Sequence, residues 1–225
     1  MVDWVVETER RFMEMNMVQY GKQRDEKIIK LVTQGKAFTR IQIEKLFFNQ
    51  KDSTRKCQLR LKKITESGRL NKLIRSPHEP AIYYSGKLQK NLDHTLLIND
   101  VYTSVMTQKK SYYKVKWYWE FPLLDKVRAD AMIDVFDIML NRRHVIFLEV
   151  ERYADHRFTK NLSYESLTQM SWTKEEWAIK ENARILFPAI LVVTDTKISI
   201  KSSLDFFVAP VNAVKDDIYS IILKR

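Results

Sequence analysis

Residues 53–68 read Ser-Thr-Arg-Lys-Cys-Gln-Leu-Arg-Leu-Lys-Lys-Ile-Thr-Glu-Ser-Gly. At about 100° per residue, Cys57, Leu61 and Ile64 fall within a narrow arc. Arg55, Lys56, Arg60, Lys62 and Lys63 spread over the other side, and Leu59 falls among them. Ser53 or Thr54 is suited to cap the start of this helix, and Gly68 to stop it after Ser67. The stretch predicts an amphipathic helix with one apolar stripe and one strongly basic face.

Its flanks repeat the helical signal. Upstream, Thr39 with Gln42 three residues later forms a capping box, so a helix is expected from about Arg40, followed by a polar turn over 49–52. Before that, Ile28, Ile29, Leu31 and Val32 lie at helical spacing and Gly35 sits where a C-cap belongs. Downstream, the apolar stretches 70–75 and 81–84 flank Ser76-Pro77-His78-Glu79-Pro80, which reads as a hairpin. Two helices, a basic helix and a hairpin in this order form a winged helix-turn-helix arrangement, expected over 23–84. A basic helix fits the major groove of about 12 Å, and its cations neutralise phosphates. The expected contacts to double-stranded DNA are Thr39, Arg40, Ser53, Thr54, Arg55, Lys56, Gln58, Arg60, Lys62 and Lys63, with Lys72 and Arg75 on the wing.

The charge distribution points the same way. The 225-residue chain carries a formal net charge of +11. Residues 1–90 hold 20 basic and 10 acidic side chains, and the remainder is nearly neutral. Such asymmetry indicates nucleic acid or another anionic surface. One cysteine, Cys57, excludes an internal disulfide framework and a cysteine-rich zinc site. No apolar run approaches the ~18 residues of a membrane span. The opening residues lack a basic-then-apolar pattern, so no signal peptide is expected. A reducing compartment with no membrane partner is expected. Residues 1–22 read as an N-terminal extension, with a helix over 3–20 as a candidate dimerisation arm, and 85–91 as a linker.

From residue 92 the pattern becomes mixed α/β. A helix is expected over 92–108, then strands over 112–119, 128–136 and 144–151, and a helix over 158–169. A strand over 189–195, a polar helix over 198–204 and a last strand over 205–209 follow. Asp130 lies in the second strand; Glu149 and Glu151 close the third, spaced to share a face. Two carboxylates side by side are costly to bury without a cation, and acidic groups on adjacent strands commonly hold Mg²⁺ or Mn²⁺. The order resembles the core of the PD-(D/E)XK nucleases. Glu151 stands where that pattern has lysine, and Lys160 on the next helix is the candidate for its role. The fold class is therefore α+β: a winged helix-turn-helix, then a mixed-sheet domain over 92–225 resembling that nuclease core.

Both halves together resemble the replication-relaxation family of plasmid and mobile-element proteins. The matching stretches are Ile28–Leu73, His94 with Asp100 and Tyr102, Ala129-Asp130-Ala131, and Phe147-Leu148-Glu149-Val150-Glu151-Arg152. The resemblance implies a DNA setting in replication, relaxation or mobilisation, alongside other proteins of those processes, in the bacterial cytoplasm and associated with the nucleoid or a plasmid. It expects proline where this chain has Ala129. Two readings stay open. One is a non-enzymatic DNA-binding accessory or regulatory protein, a homodimer by default. The other is a DNA nickase or endonuclease in which Asp130 and Glu149 hold Mg²⁺ or Mn²⁺, Glu151 assists and Lys160 activates water. No cofactor is required by the first. A replication initiator is disfavoured because none of the four histidines has the metal spacing such enzymes use.

Overall fold

A computed structural model describes residues 3–48, 52–152, 158–181 and 184–223, with side chains from residue 19 onward. The chain forms two compact units, Met1–Leu92 and Asp93–Arg225. Its class is mixed α+β, with a mixed five-stranded sheet in the second unit.

The first unit begins with one long helix, α1 (Asp3–Gly35), which runs without a break across the boundary expected at 22/23. The left-handed residue that ends it is Lys36 (φ +68°), one position after the glycine expected to serve as the C-cap. A short strand β1 (Ala37–Thr39), not anticipated from sequence, leads into α2 (Arg40–Phe47). The Thr39–Gln42 capping box forms: Gln42 N–H donates to Thr39 Oγ1 at 3.2 Å, and Thr39 N–H donates to Gln42 Oε1 at 2.8 Å. Helix α3 (Ser53–Glu66) follows. Its N-cap is Asp52, in the left-handed region and with no side-chain cap bond, so neither Ser53 nor Thr54 caps it. Its other end closes as a Schellman motif. Gly68 N–H reaches Thr65 O at 2.9 Å and Arg69 N–H reaches Ile64 O at 3.3 Å, with Gly68 at φ +73°. Strands β2 (Asn71–Leu73) and β3 (Ile82–Tyr84) form the hairpin, and β1 pairs with β3, giving an antiparallel sheet of order β1-β3-β2. Ile28, Phe38, Ile43, Cys57 and Leu61 are fully enclosed in this unit.

In the second unit, α4 (Leu92–Gln108) precedes a meander of β4 (Tyr113–Leu123), β5 (Val127–Asp137) and β6 (Arg142–Val150). Helix α5 (Lys160–Thr168) and a small hairpin, β7 (Ile179–Glu181) and β8 (Arg184–Leu186), carry the chain to β9 (Ala189–Val193). Strand β9 pairs parallel with β6, and β10 (Phe206–Ala209) pairs parallel with β9. The sheet order is β10-β9-β6-β5-β4. No helix forms over 198–204; this segment has no regular secondary structure. There Ser202 Oγ donates to Glu165 and accepts from Leu204 N–H at 3.2 Å, local bonds that compete with a helical ladder. A helix not anticipated from sequence, α6 (Val211–Ile222), closes the chain's described part.

Alternation along β6 divides the core. Ile146, Leu148 and Val150 face a cluster that includes Val101 and Val105 of α4 and Ile218 of α6. Val145 and Phe147 face a second cluster with Tyr164 and Leu167 of α5 and Trp177. With both faces covered, β6 and β9 are nearly continuous apolar runs, as parallel pairing in a sandwiched sheet requires.

Candidate functional site

The residues expected from sequence to be functional lie in two places, one in each unit.

In the first unit, Cys57, Leu61 and Ile64 fix the inward face of α3. Arg55, Lys56, Gln58, Lys62 and Lys63 are exposed on its other sides. Arg60 is not part of this outward set. Its guanidinium makes two bonds to Asp25 of α1, Nε to Oδ1 at 2.8 Å and Nη2 to Oδ2 at 2.6 Å. Gly21, one turn before Asp25, leaves room for it: a Cβ there would lie 3.1 Å from Arg60 Nη2. Arg60 thus ties α3 to α1. Arg69 does similar work, donating to Glu26 at 2.6 Å.

Four further residues expected at DNA have intramolecular tasks. Thr39 is engaged in the capping box. Arg40, Ser53 and Thr54 all bond to Glu44 of α2. Burial pushes the Glu44 carboxyl up, but the bonds from Thr54 and Ser53 and the charge of Arg40 outweigh it and leave the group below its ordinary value. Glu44 therefore acts as the connector of the α2–α3 turn. On the hairpin, Lys72 and Arg75 are exposed, and a groove between α3 and the hairpin is lined by Gln58, Lys62, Lys72 and His78.

In the second unit, the register Ala131↔Leu148 between β5 and β6, extended by one residue, sets Asp130 opposite Glu149. Asp130 Oδ2 accepts the Val150 N–H at 2.8 Å, which locks the aspartate to the neighbouring strand. Its Oδ1 lies 3.2 Å from Nε2 of His94 on α4. Glu149 is only 2% exposed. Lys160, the first residue of α5, sets its ammonium on Glu149 Oε2, and Tyr164, one turn later, donates to Oε1 at 2.8 Å. Lys160 and Tyr164 are four apart, so both project from one side of α5 toward the same carboxylate.

The electrostatics follow from this geometry. Burial pushes the Glu149 carboxyl up and the charge of Asp130 pushes it further, while Lys160 and Tyr164 pull it back, leaving it at about 7. The bond that His94 donates to Asp130 raises its imidazole, and burial opposes that rise. Burial and the Glu149 charge hold the Tyr164 phenol well above its usual range.

Three of the four residues expected at this site, Asp130, Glu149 and Lys160, are brought together. Glu151 is not. Strand β6 ends at Val150, and Glu151 continues the pairing with β9 through its backbone, N–H to Val193 O at 2.9 Å, while its carboxylate joins none of the bonds above. Glu151 thus stays two residues along from Glu149 in that pairing, outside the bonded cluster. Arg152 bonds Asp93 at 3.2 Å. His94 and Tyr164 complete the cluster. Tyr164 was detectable from its i+4 spacing to Lys160, whereas His94 carried no spacing signal linking it to Asp130. Among the described residues, no group of three or more His, Cys, Asp or Glu side chains is arranged to hold a metal ion. No helix among them is long and apolar enough to cross a membrane.

Comparisons with protein-family models, with curated proteins and with solved structures found no match to this chain.

Proposed function

We propose that the chain is a duplex-DNA-binding protein whose first unit is a winged helix-turn-helix. We place it, on its sequence motifs, as an accessory or regulatory factor of a plasmid or other mobile element. The observation that carries the reading is the exposure of Arg55, Lys56, Lys62 and Lys63 on α3, whose other face is buried through Cys57, Leu61 and Ile64. A helix anchored on one side and cationic on the other can enter a major groove without unfolding its unit. The element order and the antiparallel β1-β3-β2 sheet support it, with the hairpin placing Lys72 and Arg75 where a wing meets flanking phosphates. The test is binding of fluorescent duplex DNA at several salt concentrations. Each phosphate contact adds roughly 0.9 to the slope of log affinity against log salt. Absence of duplex binding would defeat the proposal.

A second reading is favoured by a separate observation, the meeting of Lys160 with Glu149 beside Asp130. In it, the second unit is a metal-dependent phosphodiesterase of the PD-(D/E)XK type. The ligands would be two carboxylates on adjacent strands, the oxygen type Mg²⁺ takes when waters and substrate phosphate complete its shell, and an ion would share or displace the bonds those oxygens make here. Asp130 and Glu149 would hold the ion, which when bound supplies a Lewis acid and a more acidic water. The chain's own groups do the rest. The Val150 N–H and His94 fix the Asp130 carboxylate, and Tyr164 fixes Glu149. Lys160 sets a positive charge where negative charge grows on a phosphate under attack. Supercoiled plasmid with Mg²⁺ or Mn²⁺ tests this. Wild type should produce open circles, and Asp130→Ala and Lys160→Ala should not. An intact plasmid with wild type, or nicking by both variants, would defeat it.

A further inference from the structure

Leu59 lies outside the core of its unit. It exposes 54% of its surface, on the side of α3 opposite Cys57, Leu61 and Ile64. Its neighbours one turn away in each direction, at i−4, i−3, i+3 and i+4, are Arg55, Lys56, Lys62 and Lys63. All four are exposed. A single surface leucine is ordinary. A leucine at the centre of four cations, on the pole of a helix whose opposite side is locked in a core, marks the point that would reach deepest into an anionic groove. Gln58, the next residue back, is also exposed and lines the groove between α3 and the hairpin.

The two side chains match one base pair. In the major groove only thymine presents a methyl group, which apolar side chains contact, and the adenine edge offers the N6/N7 donor–acceptor pair that a glutamine amide meets with two bonds. We propose that α3 reads A·T pairs, with Leu59 packed on a thymine C5-methyl, Gln58 on an adenine edge, and the four surrounding cations on phosphates. The proposal rests on the duplex-binding reading above and assigns the base preference to particular side chains. Charge alone would suit DNA and an anionic lipid surface equally; the absence of an outward apolar face on α3 selects DNA. Insertion into lipid needs an apolar face, and that of α3 is committed to the core, with α3 further tied to α1 by the Arg60–Asp25 bonds.

The experiment uses the full chain in EDTA with a pool of duplexes carrying a random segment. Selected sequences are then remade with every dT replaced by dU, which removes only the methyl. Wild type should enrich motifs containing A·T pairs and should lose about fourfold in affinity per contacted thymine on dU substitution, the equivalent of one buried methyl. Leu59→Ala, an exposed change, should bind dT and dU duplexes equally and keep the salt slope. Four outcomes overturn the inference: equal binding of dT and dU duplexes by wild type, a preference for dT retained by Leu59→Ala, binding of the pool with no A·T motif enriched, and binding of phosphatidylglycerol vesicles through Leu59 without binding of duplexes. If the pool and the vesicles are both left unbound, it is the duplex-binding reading itself that fails.

Discussion

Lys160, at the start of α5, holds its ammonium against the Glu149 carboxylate of β6, and the phenol of Tyr164 holds the other oxygen of that carboxylate at 2.8 Å. One helix turn thereby neutralises a buried strand-end acid that also faces Asp130. Removing either partner would leave a carboxylate in low dielectric with part of its compensation gone. The pair is thus a structural requirement of the second unit whether or not that unit cleaves DNA.

Stability should therefore depend on pH through Glu149. In the folded chain its carboxyl is raised to about 7 from an ordinary 4.5, so the folded state holds this proton more tightly than the unfolded state does. The stabilisation from that protonation is complete below the unfolded value and is lost as pH rises to about 7. Glu149→Gln cannot lose it. Urea unfolding in EDTA, followed by tryptophan fluorescence, should show the variant gaining on wild type by up to about 3 kcal/mol between pH 4 and pH 8. Four of the five tryptophans lie in the second unit, so the signal reports on it. A difference that does not change with pH would contradict this account of the cluster.

Arg60 should behave as a structural residue although it lies in a basic stretch. Its two bonds to Asp25 are partly buried, so Arg60→Ala should cost about 1–2 kcal/mol in the first unit. The salt slope of DNA binding should stay as in wild type. A reduced slope with unchanged stability would place Arg60 on DNA instead.

Gly21 should be coupled to Arg60. Replacing a helical glycine by alanine normally gains about 1 kcal/mol. Here the added Cβ would meet Arg60 Nη2 at 3.1 Å while that guanidinium is held by Asp25. Gly21→Ala should therefore give little in wild type and most of the helix gain in the Arg60→Ala background. Thermal denaturation of the four chains of this cycle measures the coupling, and additive effects would remove the proposed close fit.

Cys57 should report the docking of α3. Burial pushes its thiol up to about 12, with the Glu44 charge adding to the rise. The thiolate is the reactive form, so iodoacetamide at pH 8 should leave the native chain unlabelled and modify it only as the first unit unfolds. Labelling of the native chain at the rate of a free thiol would mean that α3 is not packed on Cys57, Leu61 and Ile64.

What was legible in sequence was what local physics determines. Helix α3 announced itself because a three-residue apolar stripe and a block of cations share one period, and β6 because its run is apolar on both faces. The capping box gave the start of α2. Elements fixed by tertiary contact were not legible. Strand β1 is three residues long and exists through pairing with β3. Helix α6 is an exception, since Val214, Ile218 and Ile222 recur at helical spacing in the sequence. The expected helix over 198–204 gave way to bonds made by Ser202. At the sites, Asp130, Glu149 and Lys160 were readable as types in a pattern. The removal of Arg60, Ser53 and Thr54 to intramolecular partners was not, because Asp25 lies 35 residues from Arg60 and Glu44 lies 9 and 10 from the two hydroxyls, whereas Arg40 and Glu44 stand at the i,i+4 spacing of a helical ion pair.

The most direct test of the account is the salt dependence of duplex binding by wild type and by a variant with Arg55, Lys56, Lys62 and Lys63 all changed to Ala. These four residues are exposed and the buried stripe of α3 is untouched, so the variant should fold. The account predicts that the slope of log affinity against log salt becomes shallower by about 3–4, with affinity at low salt falling at least a hundredfold. An unchanged slope would contradict DNA binding through α3.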